Sequence, residues 1–145
     1  MNKQALVDLI RTHLTEELAE LQRSAGGQEL PADTRNALRE RAAEVERQIL
    51  MFRFLPVREF GDGEVVCPAA LVELELQSGA GIRAFYLVTP QSGGLVTSLD
   101  GRPVQVVSPQ SPIGEAILGK KVGDLAEVAA GTGKPPRRYK ILSIR

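Results

Sequence analysis

The sequence predicts an α+β protein: an N-terminal antiparallel helical hairpin of the coiled-coil kind over residues 1–55, then a mostly antiparallel β-sheet domain over residues 56–145 carrying one short helix. Three observations predict it. Good helix formers crowd the chain before Pro56, whereas Gly, Pro, Val and Ser recur every few residues after it. The first part carries two apolar stripes at helical spacing. The second alternates apolar and polar residues over short runs bounded by turn residues.

In the first stripe Val7, Ile10, Leu14, Leu18 and Leu21 recur at three- and four-residue steps, with Asp8, Arg11, Glu16 and Glu20 off it. Leu38, Ala42, Val45, Ile49 and Phe52 repeat the pattern in the form that lets two helices mesh. Two glycines, Gly26 and Gly27, end the first helix, and Pro31 opens the second. Stripe then packs on stripe, with the tip of the arm near residues 25–34.

After Pro56, Leu71–Leu76 alternates as a half-buried strand, and Gly79–Gly81 turns the chain toward a second strand, 82–88. Ser92–Gly94 and Asp100-Gly101 punctuate further short strands ending with Val104–Val107. The period then changes. Ser111 as N-cap, Pro112 in the first turn and Gly119 as the stop frame a short helix whose Ile113, Ile117 and Leu118 are available to cover the sheet. Strands at 125–129 and 139–144 close the domain around Gly131-Thr132-Gly133.

Composition narrows the function. The chain of 145 residues has 18 basic and 18 acidic side chains, so bulk basicity does not drive nucleic-acid binding, and direct sequence-specific DNA binding is not expected. With one His and one Cys the chain lacks the usual His- and Cys-rich zinc sites. The lone Cys67 and the charge-mixed opening residues lead to the expectation of a cytoplasmic protein that neither crosses nor enters a membrane. His13, beside the first stripe, reads as an edge or solvent residue. Gly114–Lys120 satisfies G-x-x-x-x-G-K but continues with Lys121 and encloses helix-forming residues, so it is not a phosphate loop. The cluster Lys134, Arg137, Arg138 and Lys140 reads as a charged face protecting a sheet edge, with an acidic protein surface or RNA as the alternative contact.

The run Ser111-Pro112-Ile113-Gly114-Glu115-Ala116-Ile117-Leu118-Gly119-Lys120-Lys121-Val122-Gly123-Asp124, with the closing strand Tyr139–Ile144, resembles the C-terminal domain of the bacterial Gre transcription elongation factors. The resemblance implies a sheet of FKBP-like topology that docks on RNA polymerase at the secondary channel, with Ser111, Pro112, Ile113 and Gly114 as docking candidates. It also implies a coiled-coil arm that enters the channel. In such factors two tip carboxylates in an Asp-x-x-Glu pattern help hold a second Mg²⁺ of the polymerase, which stabilises charge on the attacking water and the displaced oxygen. The counterparts here are Glu29 and Asp33, four apart, and no Asp-x-x-Glu occurs at the tip, which counts against stimulation of transcript cleavage. As a plain reading Asp33 favours the start of a helix and Glu29 solvates the loop.

The expectation is therefore a non-enzymatic factor that holds no cofactor of its own beyond Mg²⁺ shared with polymerase. A regulator like the Rnk proteins, or a channel competitor without cleavage activity, is the alternative. A prolyl isomerase would need a concave aromatic pocket, for which the domain offers only Phe60, Phe85, Tyr86 and Tyr139. Weak self-association through an uncovered helical seam is a third reading.

Overall fold

A computed structural model describes residues 3–26, 30–61, 63–77, 83–90, 95–99, 101–129 and 131–145. The chain divides into two compact units, Asn2–Leu55 and Pro56–Arg145. Glu29, the Gly79–Gly81 turn, the Ser92–Gly94 loop and Asp100 lie outside the described residues.

The first unit is a pair of helices, α1 (Lys3–Ala25) and α2 (Ala32–Phe54), each of 23 residues and hence ~34 Å long. The apolar repeat explains their burial. Leu6, Val7, Ile10 and Leu14 of α1 and Val45 and Phe52 of α2 are buried, while Leu18, Leu21, Leu38, Ala42 and Ile49 are half-buried. The helices pack on each other, and Arg41 donates from Nε (3.0 Å) and Nη2 (2.8 Å) to Glu17 Oε1. Pairing of mid-α1 with mid-α2 across a short connection makes the hairpin antiparallel. Pro31 sits at the N-cap of α2, one step before the first-turn position the sequence suggested, so no side chain caps this end and Asp33 is the acidic residue of the first turn.

The second unit is a six-stranded sheet, order β3-β4-β2-β1-β6-β5, made of β1 (Leu71–Leu76), β2 (Arg83–Val88), β3 (Val96–Leu99), β4 (Arg102–Val107), β5 (Leu125–Val128) and β6 (Arg137–Ile144). All neighbours pair antiparallel except β2 and β4, which are parallel because β3 carries the chain to the edge and back. The register aligns the core. Val72 and Leu74 stand opposite Ile144 and Ile141, and Val72 is also opposite Tyr86; all five are buried. The β1–β6 register shifts between Glu73 and Leu74, so that Leu142 is the additional residue in β6. That bulge brings Ile141 and Ile144, three apart, to one face, where strict alternation would divide them.

Two expectations fail here. The Arg137–Lys140 cluster does not guard an edge, because β6 lies between β1 and β5 and the terminal strands are β3 and β5. Arg138 instead donates from Nε to Glu127 Oε1 of β5 at 3.0 Å. Leu118 is 40% exposed rather than buried over the sheet, since the short helix α3 (Pro112–Ile117) ends before it, and Ile117 is the buried side chain of that helix besides Gly114.

Candidate functional site

The site is built around α3. Ser111 precedes it in extended conformation, φ −76° and ψ 153°, and its Oγ accepts from the Gly114 amide at 3.1 Å, satisfying one of the amides a helix start leaves open. The same hydroxyl donates to the Ser108 carbonyl at 2.7 Å, and that carbonyl also accepts the Ser111 amide at 3.0 Å. Pro112 supplies the preset φ of the first turn. Gly119, at φ +79°, ends the segment by sending its amide to the Val66 carbonyl at 2.9 Å, and Val66 returns its own amide to the Lys120 carbonyl at 2.8 Å. The end of α3 is thus tied to the segment entering β1.

This framing sorts the four docking candidates. Ser111 is half-buried with its hydroxyl committed to the cap, Gly114 is buried and Ile113 half-buried. Pro112 is exposed, followed by exposed Glu115 and half-buried Ala116. These face a groove of 360 Å³ between α3 and β5, lined by Pro112, Glu115, Ala116, Glu127, Val128 and Ala129. Sequence reasoning did not single out Glu115, Ala116, Glu127, Val128 or Ala129 as docking residues; the helical period from Pro112 could have pointed to the first two, but nothing local ties α3 to β5.

The phosphate-loop look-alike and the glycine-rich turn are both settled by local geometry. Gly114 belongs to α3 rather than to a loop, and Gly131 and Gly133, at φ +113° and +79°, form a turn in which Lys134 N donates to Gly131 O at 3.3 Å. The aromatics are not gathered into one pocket. Phe85 borders a cavity of 280 Å³ with Glu73, Arg102 and Pro103 and no second aromatic, while Arg58 stacks 3.9 Å above the Phe60 ring. Tyr86 and Tyr139 are buried, and burial first, then the charge of Tyr139, push the Tyr86 phenol above its ordinary pKa.

At the arm, Asp33 is exposed in the first turn of α2 and His13 is exposed on α1. Among the described residues no three His, Cys, Asp or Glu side chains converge on a metal position. Asp33 alone offers one carboxylate to an ion that takes about six oxygen ligands. The described tip therefore does not fit Mg²⁺ as a self-contained site, and no chemistry is derived through one. Cys67 is half-buried, and among the described residues no helix is long and apolar enough to cross a membrane.

A helical-hairpin unit followed along the chain by a sheet unit whose capped helix abuts the terminal strand defines a class, and comparison with known proteins places the chain in it. Residues 63–145 match the family described as transcription elongation factor, GreA/GreB, C-terminal. Over 126 residues the chain is 30% identical to the transcription elongation factor GreA of Mesoplasma florum, covering 85% of this chain and 77% of that protein. The chain belongs to the GreA/GreB family of transcription elongation factors. Among solved structures it is similar to GreA factor homolog 1 of Thermus thermophilus, at 26% identity, 99% of this chain, 92% of that chain and a TM-score of 0.43. It is also similar to the elongation factor GreA/GreB from Nitrosomonas europaea, at 18% identity, 78% and 92% coverage and a TM-score of 0.41.

Proposed function

We propose that this chain is a non-enzymatic, cytoplasmic transcription factor that binds RNA polymerase through the surface around α3. Its helical hairpin, placed in or near the secondary channel, then modulates transcription without stimulating transcript cleavage. The observation that carries the reading is the family match over residues 63–145, which contains the capped helix and its groove. Two further features support it. Paired helices of ~34 Å are long enough to reach into a channel. The tip sequence lacks an Asp-x-x-Glu pair, and among the described residues Asp33 is part of no metal-ligating cluster.

The test uses full-length protein and purified core RNA polymerase. Co-elution of the two, together with an altered yield or pausing pattern in run-off transcription, is the expected result. Backtracked complexes should release no more cleaved RNA with the wild type than with Glu29→Ala or Asp33→Ala. Absence of polymerase binding refutes the docking, whereas cleavage that depends on either carboxylate refutes the non-cleaving role.

A further inference from the structure

The groove between α3 and β5 has a chemistry that names its occupant. Its half-buried part is aliphatic, from Ala116 and Val128, with Pro112 and Ala129 beside them at the surface. Its charged side chains are both carboxylates, Glu115 and Glu127. Glu127 is engaged through Oε1 with Arg138. Glu115 is exposed and, among the described residues, meets no Lys, Arg or His within ion-pair distance. Among the described residues no basic one lines the groove. β5 is also the terminal strand of the sheet, with no strand beyond it among the described residues.

Resting on the polymerase-docking reading, we infer that this groove receives a polymerase segment bearing a lysine or arginine next to an aliphatic side chain. The aliphatic group fills the space over Ala116 and Val128, and the cation pairs with Glu115. Each part follows from the lining. A volume of 360 Å³ holds a few side chains rather than a whole helix. Removing the apolar residues of both partners from water supplies the non-directional part of the affinity. Glu115 at the rim adds orientation and encounter rate more than depth of binding, and its effect weakens with salt because the Debye length is about 8 Å at physiological ionic strength. Glu115, the carboxylate left without an ion pair, repels RNA phosphates and any acidic protein segment, so neither matches this surface.

The experiment measures binding of the full chain to core RNA polymerase for the wild type, Glu115→Gln and Glu115→Arg. A protein that keeps Glu115 and carries a photo-crosslinking residue at position 129, in the same groove lining, identifies the contacted segment. Expected are a loss of about threefold for Glu115→Gln and about tenfold or more for Glu115→Arg, each smaller at high salt, and cross-links to a polymerase peptide containing Lys or Arg beside Val, Leu or Ile. Thermal unfolding by tyrosine fluorescence verifies that the variants fold, and if Glu115→Arg does not, Glu115→Gln decides. Wild-type binding with unchanged affinity in the folded variant overturns the inference while leaving polymerase docking intact. So does a cross-link to an acidic segment, to RNA or to a second copy of this chain. No binding by the wild type refutes the docking itself, and this inference with it.

Discussion

The Cα of Gly114 stands directly against the main chain of Ser108: a Cβ built on it would lie 1.9 Å from the Ser108 carbonyl oxygen and 2.8 Å from its carbon. That oxygen already accepts the amide and the hydroxyl of Ser111. Helix start, cap and preceding strand end are thereby drawn into one knot of backbone, where no side chain fits. The glycine of the Ser-Pro-Ile-Gly run therefore acts through packing, and the contact surface passes to its neighbours Pro112, Glu115 and Ala116.

Gly114→Ala should destabilise the β-rich unit by about 2 kcal/mol, because the methyl group meets main chain that cannot swing aside. Both tyrosines of the chain, Tyr86 and Tyr139, lie in this unit, so urea unfolding followed by tyrosine fluorescence isolates its stability from that of the hairpin. A loss below about 0.5 kcal/mol would mean that the knot opens easily.

Gln48 is 5% exposed in α2, and its Oε1 has no hydrogen-bond partner among the described residues. Gln48→Met keeps the length of the side chain and removes the stranded oxygen, so the hairpin should gain about 1 kcal/mol. Helical circular dichroism on heating checks this. A lower melting temperature would show instead that the amide supports the hairpin.

Tyr86 gives the β-rich unit an alkaline limit. Burial foremost, and then Tyr139, raise its phenol above the ordinary value of 10.0, so at alkaline pH the unfolded chain releases this proton while the folded chain still holds it. The folded state then binds more protons, and stability falls as pH rises. The contribution is complete below the unfolded pKa and is lost as pH climbs through the raised folded one. Urea midpoints measured across that alkaline range should decline for the wild type and decline less for Tyr86→Phe; parallel declines would assign the limit to other groups.

Local physics made much of this protein legible in its sequence. Apolar residues at three- and four-residue steps can share a face only on a helix, and alternation over Leu71–Leu76 suits only a strand. Ser111, Pro112 and Gly119 delimit α3 because cap chemistry acts within one turn. Even the departure at the arm, Glu29 and Asp33 in place of an Asp-x-x-Glu pair, needs no coordinates. What only the tertiary structure decided depends on residues distant in the chain. Strand order moved β6 from an edge to the interior and turned Arg138 from a guard into the partner of Glu127. The bulge at Leu142 placed Ile141 and Ile144 on one face against the expected alternation. The groove exists because α3 meets β5, and no pattern within either segment encodes that meeting. Hydrogen-bond pairing between strands and the close approach of Gly114 to Ser108 are non-local choices, selected by the core as a whole.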